Sequence, residues 1–192
     1  MKTYLNVQSG KWKNKKILAP EPIRGNSNFT PAKVKEAIFS IIESQLLKSG
    51  EERDRFVFVD LFAGSGQMGF EAYSRGFANC ILVELDKSRF QSLVLNAKNL
   101  DSSHTLNLHN KDGFRYADKI QTSEEQKLIF FLDPPYTYWK DPEKMQNLVR
   151  KLISTYKPSP LVLIQSDINP NWTEFEPRNF GNNWVLTYGR LK

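Results

Sequence analysis

Cysteine and histidine are scarce in this chain of 192 residues, which contains one cysteine, Cys80, and two histidines. A lone cysteine excludes a disulfide framework within the chain and fits a reducing compartment. Neither histidine has a cysteine or acidic ligand pattern beside it, so we predict that the protein binds no metal. No apolar run approaches the length that spans a bilayer, and the first residues form no apolar signal core. We therefore expect a cytoplasmic protein that does not associate with membranes.

Acidic residues are scarce in the first 35 positions, where eight basic side chains accompany a single acid. The whole chain carries a formal net charge of +6, so its basic character is concentrated in this segment. Such a concentration is typical of a surface that contacts phosphate groups, although a solvated surface is the alternative. Trp12 lies among the lysines and either stacks on a base or packs the segment onto the core. The candidate contacts to nucleic acid are Lys11, Trp12, Lys13, Lys15, Lys16 and Arg24.

Apolar segments with the spacing of strands and helices alternate through the rest of the chain, which predicts an α/β fold with a mostly parallel sheet. Two short strand-like pieces predict that residues 1–29 form a small basic hairpin or arm, followed by one domain over residues 30–192. Thr30 is the expected N-cap of the first helix, with Pro31 at the first helical position, and Asp141 with Pro142 repeats this start. Antiparallel strands are expected around residues 172–175 and 184–188.

A short apolar run ending at Asp60 leads into the turn Gly64-Ser65-Gly66-Gln67-Met68-Gly69, which opens a helix. This layout is typical of a nucleotide-type site at the carboxyl edge of a parallel sheet. Glu84 lies 20 residues after Gly64, where such folds place an acid that accepts hydrogen bonds from ribose hydroxyls. A surface acid at a strand end is the alternative interpretation of Glu84.

The glycine spacing formally matches an NAD-binding fingerprint, so an NAD-dependent oxidoreductase is a competing hypothesis. Asp60 argues against it, because a carboxylate just before the turn would repel a nearby pyrophosphate. The same carboxylate suits a ligand with a cationic amino acid moiety, such as S-adenosylmethionine.

The stretch Asp133-Pro134-Pro135-Tyr136 follows a continuously apolar strand, at the sheet edge where α/β folds place their sites. The prolines form a rigid turn without backbone donors. The Asp133 carboxylate and a proline carbonyl would accept both N–H bonds of an exocyclic amine on a base. This arrangement favours a pyramidal nitrogen whose lone pair faces a methyl donor. Tyr136 offers a flat face for the base. A merely stiff loop is the alternative.

Together, Asp60-Leu61-Phe62-Ala63-Gly64-Ser65-Gly66 and Asp133-Pro134-Pro135-Tyr136 resemble the motifs of the class I S-adenosylmethionine-dependent N-methyltransferases. More narrowly, the chain resembles the bacterial 16S ribosomal RNA guanine-N2 methyltransferases (the RsmD-like family). The likeness includes Gly10-Lys11-Trp12-Lys13 and the helix that begins at Thr30-Pro31-Ala32. One departure is that Asn28-Phe29-Thr30 stands where the family usually has Arg-Pro-Thr.

The resemblance implies a Rossmann-like sheet of seven mostly parallel strands with helices on both faces, and methyl transfer to guanine-N2 of ribosomal RNA or of the small ribosomal subunit. We also expect a monomer. It implies a cofactor site formed by Asp60, Phe62, Gly64, Gly66, Glu84 and Asp112, and a catalytic site formed by Asp133, Pro134, Pro135 and Tyr136. Methylation of adenine-N6 or of DNA stays open, as does a non-catalytic RNA-binding protein on the same scaffold.

Overall fold

The computed structural model describes residues 3–19, 29–100, 106–123 and 125–191. Its first element is a two-stranded antiparallel sheet of β1 (Tyr4–Asn6) and β2 (Lys16–Leu18). Five helices follow, namely α1 (Ala32–Ser49), α2 (Gln67–Ser74), α3 (Lys87–Asn99), α4 (Gly113–Tyr116) and α5 (Pro142–Thr155). The main sheet contains β3 (Phe56–Asp60), β4 (Asn79–Val83), β5 (Leu106–His109), β6 (Lys127–Leu132), β7 (Leu161–Ser166), β8 (Glu176–Phe180) and β9 (Asn183–Tyr188).

The seven strands lie in the order β5-β4-β3-β6-β7-β9-β8. The first five pair in parallel, whereas β9 is antiparallel to both of its neighbours. The predicted seven-stranded, mostly parallel sheet and the small N-terminal β extension are therefore confirmed. The chain moves outward from β3 to β5 and then returns to place β6 on the other side of β3. This reversal creates the switch point at which α/β sheets bind their ligands.

Alternate side chains of the buried strands enter two separate hydrophobic clusters, one on each face of the sheet. On β3, Phe58 packs with residues of α1, α2 and α3. Its neighbour Val59 points to the opposite face and packs with residues of α5. Because both faces are covered by helices, all five residues of β3 are buried. The two covered faces hold the carboxyl ends of the central strands in fixed positions.

The start of α1 differs from the prediction. The helix begins at Ala32, and Pro31 occupies the N-cap position, with its carbonyl accepting from the amide of Lys35 at 2.9 Å. Thr30 therefore lies one residue too early to cap the helix, and its hydroxyl donates to Asp133 instead. The cap prediction for Asp141 is also wrong in part, because Pro142 does begin α5 but the Asp141 side chain makes no capping hydrogen bond.

The strand predicted around residues 172–175 is wrong. That segment is a turn, and β8 begins at Glu176. The rings of Trp172 and Phe175 in this turn pack on each other, with their centroids 5.3 Å apart. The second predicted strand is correct and is β9, which pairs antiparallel to β7.

The N-terminal sheet is fastened to the main domain by a buried ion pair. Lys35 on α1 and Glu71 on α2 are 1% and 0% exposed, and their charged groups lie 3.0 Å apart. Lys35 Nζ also donates to the carbonyl of Asn6, and Glu71 accepts from the amide of Gln8. The ends of this ion pair therefore bind the backbone of the N-terminal segment and fix it against both helices.

No helix within the described ranges is long and apolar enough to cross a membrane. Within the same ranges, no group of three or more histidine, cysteine or acidic side chains is placed to hold a metal ion.

Candidate active site

A cavity of about 630 Å³ lies at the switch point, above the carboxyl ends of the central strands. Each of β3, β4, β5 and β6 ends in a loop that contributes to its wall. The sequence-predicted residues on the wall are Asp60, Phe62, Gly64, Glu84, Asp112, Asp133, Pro134, Pro135 and Tyr136. The structure thus brings the glycine turn and the Asp133 loop, about seventy residues apart in sequence, to the wall of one cavity.

The glycine turn depends on backbone conformations that favour glycine. Gly64 has φ +55°, and a Cβ built there would meet no described atom within 4 Å, so this glycine borders open space. Gly66 has φ +90°, and a Cβ there would lie 2.4 Å from Leu93 and from Phe70. Gly64 therefore leaves room for a ligand to approach the backbone, whereas Gly66 lets the turn pack closely on α2 and α3.

Glu84 lies at the end of β4 and is held by two backbone donors. Its Oε2 accepts from the amide of Gly64 at 2.7 Å, and its Oε1 accepts from the amide of Asp86 at 2.7 Å. Burial raises the pKa of this carboxyl, and the two backbone bonds act in the opposite direction. Each carboxylate oxygen keeps a further lone pair, so Glu84 is oriented and still able to accept from a pair of hydroxyls.

Asp60 is buried at the end of β3, where its carboxyl accepts from the amide of Phe62 at 3.1 Å. Burial raises the pKa of Asp60 well above its usual range, and the nearby Asp133 and Glu84 charges raise it further. Three carboxyl groups from three neighbouring strands thus border one cavity. A cationic ligand group would relieve their mutual repulsion, whereas a pyrophosphate would increase it.

An aromatic cluster forms another part of the wall. The centroid of Phe62 lies 5.4 Å from that of Phe114, and Phe114 stacks on Tyr138 at 5.1 Å. Asp112 precedes these rings and caps α4, with its Oδ1 accepting from the amide of Phe114 at 2.9 Å. This wall offers flat apolar surface beside one carboxylate, which suits a purine with an exocyclic amine.

The Asp133 loop forms a further part of the wall. Asp133 is partly buried, and its Oδ2 accepts from the hydroxyl of Thr30 at 3.3 Å. Burial raises the pKa of the Asp133 carboxyl to about 7, and the Thr30 hydrogen bond opposes that rise. Tyr136 is 40% exposed at the cavity wall. The loop therefore presents a carboxyl, proline carbonyls and an accessible aromatic ring to the same space.

The structure describes five of the six predicted contacts to nucleic acid, namely four lysines and Trp12. The lysines at positions 11, 13, 15 and 16 are exposed, and Lys11 Nζ lies 3.6 Å from the centroid of Tyr73. The prediction that Trp12 stacks on a base is corrected by the structure. Its side chain is only 7% exposed, and its ring centroid lies 4.8 Å from that of Tyr73. The packing alternative is therefore the one observed. The predicted contact Arg24 lies outside the described residues.

Three polar residues of the site were missed. Gln67 and Gln165 line the cavity, and each has a buried Oε1 without a hydrogen-bond partner among the described residues. Asn96 is buried on α3 and donates to the carbonyls of Leu18 and Ser65, which joins the arm to the glycine turn. A polar residue within the apolar stripe of α3 was the available signal for Asn96. Nothing in the local sequence distinguished the two glutamines.

Comparison with known proteins assigns this chain to a protein family. The sequence profile of a family described as conserved hypothetical protein 95 matches residues 5–189. The Bacillus subtilis protein YlbH, an inferred rRNA methyltransferase, is 36% identical over 133 residues, which cover 69% of this chain and 67% of that protein. Ribosomal RNA small subunit methyltransferase D of Haemophilus influenzae is 27% identical over 192 residues, covering 92% of this chain and 89% of that protein. The crystal structure of an inferred methylase from Haemophilus influenzae superposes with a TM-score of 0.68 at 25% identity, covering 99% and 100% of the two chains.

Proposed function

Because the chain belongs to the family described as conserved hypothetical protein 95, which comprises the RsmD-like class I methyltransferases, we propose that it transfers a methyl group from S-adenosylmethionine to guanine-N2 of small-subunit ribosomal RNA. The observation that carries this proposal is the single cavity shared by the glycine turn with Glu84 and by the Asp133 loop. One wall suits the donor and the other suits an amine on a base.

The residues on the donor wall fit S-adenosylmethionine, which supplies a methyl group bound to a positively charged sulfur. Glu84 would accept from the ribose hydroxyls, and the open backbone at Gly64 would allow the ligand to lie close to the turn. Asp60 would neutralise the cationic amino acid moiety, either directly or through water. Phe62 would contact the purine, and Asp112 would accept from its amine. The tight packing at Gly66 would keep this turn in place.

On the acceptor wall, the Asp133 carboxylate and a proline carbonyl would each accept one N–H bond of the guanine amine. These two hydrogen bonds would direct the nitrogen lone pair towards the donor. They would stabilise the positive charge that develops on nitrogen as the N–C bond forms and the methyl C–S bond breaks, which leaves a neutral thioether. The Asp133 carboxylate is then placed to take the surplus proton. Tyr136 would stack on the target base, which has to be unpaired or flipped out to reach the cavity.

Ribosomal RNA is the substrate that the basic arm favours. Exposed lysines at positions 13, 15 and 16 lie on a segment that the buried Lys35–Glu71 pair fixes to the domain. A fixed basic surface contributes phosphate contacts without the entropic cost of ordering a flexible tail. The Haemophilus influenzae relative is named for the small ribosomal subunit, which supports 16S RNA as the target of this chain.

The test combines binding and transfer. Calorimetry should detect binding of S-adenosylhomocysteine and none of NAD, and methyl groups from labelled S-adenosylmethionine should enter small subunits isolated from a strain that lacks this gene. Mapping the labelled nucleotide would identify a guanine. Label on an adenine-N6 or in DNA would redirect the substrate assignment, whereas NAD binding without methyl transfer would overturn the proposal.

A further inference from the structure

Resting on the proposed function, we infer that Thr30 is a positioning residue that holds one oxygen of Asp133 and orients this carboxyl group for the target amine. Thr30 precedes α1, far from residues 133–136 in sequence, and the sequence pattern suggests only a helix cap. The structure assigns its side chain a different partner at the centre of the acceptor wall.

The contacts of Thr30 specify this role. Its side chain is buried, and its hydroxyl donates to Asp133 Oδ2 at 3.3 Å. The carbonyl of Thr30 accepts from Gln67 Nε2 at 3.1 Å, which fixes the residue to the first turn of α2. Because this hydrogen bond holds Oδ2, Thr30 orients the carboxylate, which keeps Oδ1 and a further lone pair of Oδ2 to accept an N–H of the substrate.

Gln67 connects the Thr30–Asp133 pair to the donor wall of the cavity. It lines the cavity, and its buried Oε1 has no partner among the described residues. A buried carbonyl oxygen without a partner costs free energy unless a ligand supplies a donor. The ammonium group of the methyl donor is such a donor. Gln67 thus joins the donor side of the cavity to Thr30, and Thr30 joins it to Asp133.

The surroundings of Asp133 make the Thr30 hydroxyl important for its charge. The Asp133 charge raises the pKa of Asp60 on β3 and of Tyr136 in its own loop, and Asp167 acts on Tyr136 in the same direction, so the described titratable groups beside Asp133 are acidic. The described residues place no basic side chain in an ion pair with Asp133. Burial raises the pKa of Asp133 to about 7, and the Thr30 hydrogen bond is the contact that lowers it. Loss of the hydroxyl would leave the carboxyl protonated over a wider pH range.

The test compares Thr30→Val, which removes the hydroxyl, with Thr30→Ser, which retains it. We expect the acid limb of the kcat–pH profile to move up by about one pH unit in Thr30→Val. The rate would then fall about fivefold to tenfold below pH 7 and less than about twofold at pH 9, because the carboxylate re-forms there. Thr30→Ser should keep the wild-type profile. Thr187→Val is the matched control, since that buried hydroxyl has no described partner and lies outside the cavity wall.

A second measurement does not depend on turnover. The ¹³C shift of the Asp133 carboxyl, followed through a pH titration of the protein without RNA, should show the same upward displacement in Thr30→Val and none in Thr30→Ser. An acid limb and a carboxyl titration that stay at the wild-type pH in Thr30→Val would overturn the inference, as would equal impairment in Thr30→Ser. If the wild type transfers no methyl group, the proposed function fails, while the carboxyl titration still decides the role of Thr30.

Discussion

Three carboxyl groups define the chemistry of the cavity, and each is held in a different way. Asp60 accepts from a backbone amide in its own turn, Glu84 from two amides, and Asp133 from a threonine hydroxyl. Burial raises the pKa of all three. Their protonation therefore responds to ligands, and a cation would favour the ionised forms.

Replacement of Asp133 by Asn should reduce methyl transfer about a thousandfold, because a neutral amide neither stabilises the positive charge that develops on nitrogen nor takes the surplus proton. Binding of S-adenosylhomocysteine should change less than about twofold, since the donor wall is untouched. Steady-state kinetics and calorimetry measure the two effects. A variant with wild-type kcat would exclude the proposed role of Asp133.

The wild-type rate should also depend on pH. Burial raises the pKa of Asp133 to about 7, so the carboxylate is lost as the pH falls through that value, and kcat should fall with it. In Asp133→Asn this limb should disappear. A limb that persists in that variant would assign the titration to another group.

Glu84→Gln should weaken binding of S-adenosylhomocysteine about tenfold, because a hydrogen bond from a ribose hydroxyl to a carboxylate is stronger than one to an amide. Calorimetry gives the dissociation constant. Glu174→Gln is the matched control, since Glu174 is exposed and far from the cavity wall. Equal affinities in the two variants would contradict the role of Glu84.

At the scale of elements, the N-terminal hairpin is coupled to the glycine turn. Asn96 on α3 bonds both to Leu18 on β2 and to the carbonyl of Ser65 in the turn. Ser74 at the end of α2 accepts from the amide of Trp12 at 2.9 Å. The hairpin thus packs on the two helices that flank the turn, so its docking supports the donor wall of the cavity.

Gly10→Ala tests that docking. Gly10 has φ +78°, and a Cβ there would lie 1.8 Å from the carbonyl oxygen of Ser74. The hairpin would have to move away from α2, at a cost of about 3 kcal/mol from the positive φ and the steric clash together. Hydrogen exchange at the Trp12 amide should accelerate accordingly.

The matched control is Gly181→Ala, which also has a positive φ of +70° but no described atom within 4 Å of the added Cβ. Its cost should be about 1 kcal/mol, from backbone conformation alone. If the two variants lose equal stability in urea unfolding and Trp12 exchange is unchanged, the close contact with Ser74 does not hold the hairpin.

At the scale of the whole molecule, the basic arm and the acidic cavity favour different parts of an RNA strand. Exposed lysines provide a surface for phosphates, whereas the carboxyl groups of the cavity repel them. An RNA strand is therefore attracted to the arm, and only an uncharged base edge is favoured inside the cavity.

Replacing Lys13, Lys15 and Lys16 by Gln should weaken RNA binding and reduce the slope of log K against log salt by about two. Lys11 is left in place, because its ammonium group stacks on Tyr73. The same replacement at the exposed lysines Lys48, Lys98 and Lys119 is the matched control. Titrations at several salt concentrations measure the slopes. If the first variant keeps the wild-type slope, the arm has a structural role alone.

The α/β fold, the glycine turn and the two motifs of the cavity wall can be predicted from the sequence alone. These features depend on residues that are close in sequence, through the periodicity of apolar residues and through turns that need glycine or proline. The N-terminal hairpin can also be predicted from the sequence, but the environment of Trp12 cannot. An aromatic residue among lysines is equally compatible with stacking on a base and with packing on the core.

Which side chains contact each other depends on the tertiary fold. Thr30 has the sequence of a helix cap and yet bonds Asp133, and Gln67 bonds Thr30 rather than solvent. The segment 172–175, where a strand was expected, is a turn in which the rings of Trp172 and Phe175 pack on each other. Such contacts join residues up to about a hundred positions apart. The spacing of residues within one segment therefore cannot predict them. They arise when the β3–β6 switch point brings separate loops to one edge of the sheet.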